Sequence, residues 1–329
     1  MAKKKILVTG GAGYIGSFIV RELRDQGFDV VIVDNLSQGH KEAVEGFELC
    51  EIDLVTEVDK LNKFLKNTKI DGVIHMASFI QMGESFRDPG KYFYNNVFGA
   101  VNLLNCLIQN RVSNFVFSSS AGVYGSPKRL PIKEDDQKRP ENPYGETKLM
   151  IERILDWFDS AHGLKSVKIR YFNAAGAALD GSIGEDHPGE SHIIPLIMKA
   201  ALEGREFTIF GNDYKTTDKT CVRDYVHVLD LAKAHSAALK YLMDGGESEA
   251  FNAGVGEGYS NLEIVGEIEK VAGKFDWKFG PRRSGDADSL FADNSKIRKV
   301  LGWEPEHGLK EIIRSAYKWH KSHPEGYLR

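Results

Sequence analysis

The stretch TGGAGYIG, Thr9 to Gly16, directly follows the apolar run KILVT and opens a segment where Ile15, Phe18, Ile19 and Leu23 recur at helical steps. A strand, a tight glycine turn and a helix in that order leave few folds open. Gly10 permits the turn, Gly13 lets backbone approach a diphosphate, and Gly16 lets the helix close on the strand. The helix start, at Tyr14 and Ile15, then offers free N–H groups to an anion. A second apolar run, VVIVD, ends on Asp34, with Asn35 behind it. A carboxylate there accepts from both ribose hydroxyls of a dinucleotide and repels a 2′-phosphate, which favours NAD over NADP. A glycine triplet alone would serve a plain strand-to-helix turn equally well. Its place between strand, helix and acid makes this one a cofactor cradle.

Further apolar runs, GVIHM, NFVFS and KSVKIR, alternate with helix-length amphipathic segments. That alternation predicts an α/β fold, a Rossmann-type doubly wound parallel sheet buried on both faces. From about Asn173 glycines and charges become frequent, and AAGAALDGSIG reads as loop. The run CVRDYVHV from Cys221 and the helical DLAKAHSAAL from Asp230 are expected to return to the first sheet. The chain therefore divides into an NAD-binding domain, residues 1–172 plus about 222–250, and a smaller, discontinuous C-terminal substrate domain, about 173–221 plus 251–329. Asp53 follows a third strand and could accept from an adenine amino group with Ile52 and Leu54 flanking the ring, or serve as a turn aspartate.

NFVFSSS turns from apolar to hydroxyl at the carboxyl end of a central strand, where ligands of open α/β sheets bind. Ser120 there either meets a substrate or satisfies backbone groups. In NPYGETK, Asn142 can cap a helix with Pro143 at its first position, and Ile151, Ile154, Leu155 and Phe158 form its buried stripe. Tyr144 and Lys148 then share one face. Such a pair is either a solvated surface couple or a tyrosine being made acidic. Lowering a phenol from about 10 to about 7 needs roughly 4 kcal/mol, more than one lysine in water supplies, so a nicotinamide cation must add the rest. Lys148 can also bridge the nicotinamide ribose hydroxyls.

Composition narrows the partners. Of 329 residues 42% are hydrophobic and 27% charged, with a net charge of -4, which argues against nucleic acid or an anionic membrane. Cys50, Cys106 and Cys221 stand far apart and fit reduced thiols of a cytoplasmic protein better than disulfides or zinc; no metal is expected. The apolar run after the first lysines is too short for a secretory signal, and no stretch approaches a membrane span, so a soluble chain is expected.

The glycine loop, acid, serine and YxxxK resemble the extended short-chain dehydrogenase/reductase family, and VDNL, MGES, NNV, SSSAGVYG, RYFNAAGA, IFGNDY, PRRSGD and HPEGY are similar to its UDP-sugar 4-epimerase branch. The resemblance implies an isomerase that inverts C4 of a UDP-hexose, such as UDP-galactose to UDP-glucose, through a transient 4-keto sugar, with tightly bound NAD. It assigns Tyr144 as base, Lys148 as its partner, Ser120 as hydroxyl relay and Asn95 to the cofactor site. Tyr171 joins cofactor to substrate, with Phe172 and Asn173 on the sugar nucleotide. Arg223 and Arg283 match arginines on the UDP phosphates, and Asp286 the acid near uridine ribose. Leu290 stands where some relatives carry tyrosine, leaving room for an N-acetyl group; pentose and uronate substrates also stay open. His192 is a UDP contact or a loop histidine, and Ile80 takes no role where some relatives carry lysine. A 4,6-dehydratase would need acidic residues where Ala121 and Gly122 follow the serines. A homodimer through about Asn95–Gln109 and the Tyr144 helix is implied as well.

Overall fold

The computed structural model describes residues 3–283 and 286–327. Six strands appear in chain order before the helical wraps are complete: β1 (Lys5–Thr9), β2 (Asp29–Asp34), β3 (Glu48–Glu51), β4 (Gly72–His75), β5 (Asn114–Ser118) and β6 (Lys165–Tyr171). Short strands follow: β7 (Asn173–Ala175), β8 (Phe207–Phe210), β9 (Val222–Arg223) and β10 (Tyr225–His227). After them comes β11 (Glu249–Ala253). The large sheet has the order β11-β6-β5-β4-β1-β2-β3, with every pairing parallel. The chain runs outward from β1 to β3 and then returns to β4 on the other side. Strand order reverses between β1 and β4, which opens a crevice at their carboxyl ends.

The strands are apolar throughout because both faces are covered. Alternate side chains point to opposite faces. Ile6, Val8, Ile32, Ile74, Val116 and Ile169 meet Phe18, Ile19 and Leu23 of helix Tyr14–Asp25, and Leu231, Leu239 and Leu242 of helix Val228–Met243. Leu7, Val31, Val33, Val73, Phe115 and Phe117 point the other way. There they meet Leu61 and Leu65, Leu103 and Leu107, and Ile151 and Leu155 from three further helices. Each such side chain, once buried, contributes about 1.5–3 kcal/mol of transfer free energy.

A separate core belongs to the C-terminal part. Helices Ile193–Glu203, Asn261–Ala272 and Leu309–Ser322 bury Ile197, Met198, Ile264, Ile268, Ile312 and Ile313 together. Strand β8 pairs with Trp277–Gly280 at its edge.

One expectation needs correcting. The run CVRDYVHV does not itself join the large sheet. Strand β9 pairs with Tyr259–Ser260 and Ser289–Leu290, while β10 pairs with β7. The cause is Asp224 between them, wholly buried, whose carboxylate accepts from the backbone N–H groups of Val255, Gly256 and Ala292. Its carbonyl also accepts from Asn173. The residue pins the strand pair to the loops of the smaller unit. Helix Val228–Met243 and β11 make the return instead.

Candidate active site

The carboxyl ends of β1, β4, β5 and β6 open into a cavity of about 620 Å³, a volume typical of small-ligand sites. Its floor is the glycine turn. Gly10 has φ 71°, and a Cβ there would lie 2.5 Å from Ala77 N; one on Gly16 would lie 2.2 Å from Gly10 O. Neither position admits a side chain. Gly13 differs, since a Cβ would meet only Gly10 O at 3.4 Å. Its smallness leaves room for a ligand rather than for packing. Gly13 is also the helix N-cap and supplies no side-chain cap, so the first helical N–H groups stay open to an anion.

Asp34 closes β2 in a buried position. Its Oδ2 accepts from Ala12 N at 3.0 Å and its Oδ1 from Leu36 N at 2.8 Å. Burial raises its pKa, and those two backbone donors pull it back. Each oxygen keeps lone-pair capacity for a ribose hydroxyl.

The structure brings together most of the residues singled out from sequence. Gly10, Gly13, Tyr14, Ile15, Gly16, Asp34, Asn35, Leu54, Asn95, Ser120, Tyr144 and Tyr171 share the cavity wall with Phe172, Asn173, His192, Arg223, Asp286 and Leu290. Ile80 lies on the wall too. Asp53, Lys148 and Arg283 do not. Asp53 spends Oδ2 on the Asn35 amide at 2.7 Å and Oδ1 on the N–H groups of Val55 and Thr56. It holds Asn35, while its neighbours Ile52 and Leu54 face the cavity. Arg283 is exposed and lies over the Phe210 ring at 4.4 Å.

Lys148 stands just behind the wall, 1% exposed. Its Nζ donates to Ser118 O at 2.8 Å and Ser78 Oγ at 2.9 Å, and lies 5.7 Å from the Tyr144 ring centre. An ammonium has three donors, so one remains for a ribose or a phenolate. Burial lowers its pKa to about 7. Tyr144 is also buried, and burial raises its pKa well above the ordinary value, Tyr171 adding to the rise and the Ser120 hydroxyl partly offsetting it. The protein alone therefore keeps the phenol protonated. A cation must arrive to change that.

Ser120 satisfies a backbone group and also faces the cavity. Its Oγ accepts from Gly122 N at 3.0 Å, while the residue lines the cavity, so its own proton is free to be donated. Asn142 caps the Tyr144 helix by accepting from Gly145 N at 2.8 Å, with Pro143 in the first turn.

Three supports escaped sequence reasoning. Asn96, fully buried, clamps Phe79 by accepting from its N–H and donating to its carbonyl, and also donates to Thr147 Oγ1. It belongs to a π-helical turn, Phe93–Phe98, that also presents Asn95 to the cavity; such turns concentrate at functional sites. Ser78 positions the lysine. Glu152, four residues beyond Lys148, takes Arg170 Nη2 at 2.6 Å, Arg170 Nε at 2.8 Å and Ser119 Oγ at 2.6 Å. The adjacent asparagines of NNV were the one visible hint.

On the substrate side, Arg223 Nη1 donates to the carbonyls of Val222 and Ala287, both at 2.9 Å, and its Nη2 stands 3.7 Å from Asp286. Asp286 also accepts from Tyr214 OH at 3.2 Å. His192 sits on the rim, 44% exposed, between Glu185 and Glu190.

The family described as "NAD dependent epimerase/dehydratase family" matches residues 6–254. The UDP-glucose 4-epimerase of Lactobacillus helveticus is 51% identical over 326 residues, covering 98% of this chain and 99% of that one. Among solved structures, a Brucella ovis UDP-glucose 4-epimerase in complex with NAD superposes with a TM-score of 0.93 at 42% identity, covering 95% and 97%. A Bifidobacterium longum UDP-glucose 4-epimerase in complex with NAD+ and UDP gives 0.92 at 36% identity, covering 98% and 100%. With the glycine cradle, Ser120 and Tyr144 meeting in one cavity, these matches place the chain in a single group: it belongs to the NAD dependent epimerase/dehydratase family.

Proposed function

We propose that this protein interconverts UDP-hexoses at C4, UDP-galactose and UDP-glucose first among them, with a tightly held NAD. The observation that carries this reading is the shared cavity: Tyr144 and Ser120 line it together with the glycine cradle, Arg223 and Asp286. The residues fit the dinucleotide, since Gly10 and Gly16 exclude any Cβ while Gly13 leaves the helix start accessible. When bound, NAD supplies a hydride acceptor for sugar C4 and a positive ring beside the phenol.

Tyr144, ionised under that charge and the Lys148 ammonium, takes the proton of the sugar 4-hydroxyl, with Ser120 in the hydrogen-bond path. A 4-keto sugar results. Arg223 holds the diphosphate by charge-assisted hydrogen bonds while the sugar turns about its phosphate link. With C4 now presenting its other face to the nicotinamide, from which the hydride would come back, Tyr144 returns the proton to O4 and the configuration at C4 is inverted. Binding energy is thereby placed on the UDP, which stays, rather than on the sugar, which moves. A 4,6-dehydratase is disfavoured because Ala121 and Gly122 follow Ser120 where acidic groups would be needed.

The test is a panel of UDP-sugars incubated with purified protein and no added cofactor, products separated by chromatography. Interconversion of UDP-galactose and UDP-glucose is expected. A requirement for stoichiometric external NAD, or no hexose turnover at all, would sink the reading. UDP-N-acetylhexosamines in the same panel test whether Leu290, on the wall, admits a larger group at C2.

The division of labour we propose follows the two cores, residues 1–172 with about 222–250 for NAD, the remainder for the UDP-sugar. Among the described residues no helix is long and apolar enough to cross a membrane. Three unpaired cysteines, Cys50, Cys106 and Cys221, support a reducing, cytoplasmic setting. A homodimer is supported by large side chains left exposed on the two helical segments implied by the resemblance and just before them: Tyr94 at 59%, Phe98 at 45% and Trp157 at 75%. Trp157→Glu is expected to yield monomers by light scattering. Unchanged mass would remove this face from the interface.

A further inference from the structure

The loop after β7 contains the Glu-x-His spacing twice, Glu185-Asp186-His187 and Glu190-Ser191-His192. The chain folds the two copies together, so that one donor atom from each glutamate and each histidine lies within 4.8 Å of the others. His187 Nδ1 is 3.3 Å from Glu185 Oε1 and 3.3 Å from Glu190 Oε2. His192 Nδ1 is 2.7 Å from Glu185 Oε1 and 3.1 Å from Glu190 Oε1. Bonds of about 2.0–2.1 Å at tetrahedral angles set neighbouring ligand atoms about 3.3 Å apart. With one oxygen taken from each glutamate, two of the three separations that then apply already match, and the closest, His192 to Glu185, needs a small opening.

A second observation is independent of spacing. Glu185 is 5% exposed, and its Oε1, shielded from solvent, receives no directed hydrogen bond among the described residues. Two imidazoles stand beside it, yet their N–H directions miss it. Were the cluster merely two histidinium–glutamate ion pairs, those N–H groups should aim at the carboxylates. Only His187 Nδ1 with Glu190 Oε2, at 3.3 Å, meets that geometry. A buried carboxylate oxygen without a partner is costly. A cation at the centre of the four donors removes that cost.

We propose that Glu185, His187, Glu190 and His192 form a four-coordinate site for a divalent transition-metal ion, with Zn2+ the ion best suited to two imidazoles and two carboxylates. Glu185, His187 and His192 also line the cavity, so the ion sits on its rim and leaves Nε2 as the remaining ring donor of His192. This places the second ExH unit, read from sequence as a UDP contact or a loop histidine, in a structural role with the first.

The experiment strips the full-length protein with chelator, adds Zn2+ alone, and measures retained metal by elemental analysis after gel filtration. One Zn2+ per chain is expected. Co2+ in its place is expected to give the intense visible absorption of a tetrahedral centre. The pair His187→Ala with His192→Ala is expected to lose the ion, whereas His162→Ala, an exposed histidine elsewhere, keeps it. Glu190→Gln preserves the side chain's shape and is expected to weaken binding at least about tenfold. Unchanged affinity in Glu190→Gln overturns the proposal whatever the histidine pair does. So does failure of the wild-type protein to retain Zn2+, or a weakly absorbing octahedral cobalt spectrum.

Discussion

Tyr144→Phe is expected to lower interconversion of UDP-galactose and UDP-glucose by about 10²–10⁴-fold, the usual worth of a positioned general base, while UDP binds as before. The asymmetry follows from where the groups lie. In the proposed mechanism the phenol meets the reacting hydroxyl, whereas the diphosphate is held by Arg223 elsewhere on the cavity wall. The loss should fall on kcat with KM little changed, the mark of an interaction made in the transition state. The ring remains buried beside Tyr171, so packing is kept. Turnover near the wild-type rate would remove Tyr144 from the mechanism. A parallel loss of UDP affinity, read by calorimetry, would mean that the substitution had disturbed the cavity instead.

Glu152→Gln is expected to cost about 3–5 kcal/mol of folding stability, seen as a lower urea midpoint, because it leaves a buried guanidinium without its counter-charge. Arg170 and Glu152 side chains are 5% and 6% exposed and meet through two parallel hydrogen bonds. Arg170 Nη1 also donates to Tyr124 OH at 2.8 Å. The pair ties the Tyr144 helix to β6, and Ser119, next to Ser120, joins it through Glu152. Activity should therefore decline together with stability rather than independently. An unchanged midpoint would show that water or a relaxed backbone carries the charge. Replacing both partners by apolar residues should recover part of the loss, since the desolvation cost of the two ions then disappears.

Much of the cavity wall was legible before any coordinates. Gly10, Gly16 and Asp34 announced themselves because their roles depend on neighbours within one strand-turn-helix unit, where spacing along the chain is spacing in space. Tyr144 and its cap at Asn142 were legible for the same reason. Asp53 was readable as a turn aspartate, and its Oδ1 does accept from Val55 and Thr56, but its own sequence context could not reveal that Oδ2 would accept from the Asn35 amide. Lys148 was read as sharing a face with Tyr144, and its Nζ lies 5.7 Å from that ring, but its holders, Ser78 and the Ser118 carbonyl, lie 70 and 30 residues away. The strand run from Cys221 to Val228 looked continuous, and only Asp224, caught by three backbone donors from distant loops, splits it.

By itself the sequence determined the doubly wound α/β sheet, the dinucleotide cradle and the Tyr144 helix with its cap, because hydrophobic period, glycine placement and capping act over a few residues. Tertiary structure alone decided which groups converge from afar: Glu185 with His192, Asn96 with Phe79, Arg170 with Glu152. Such pairs depend on how packed helices and sheet edges meet. Their energy comes from removing water around opposed charges and amides, a quantity no local spacing encodes.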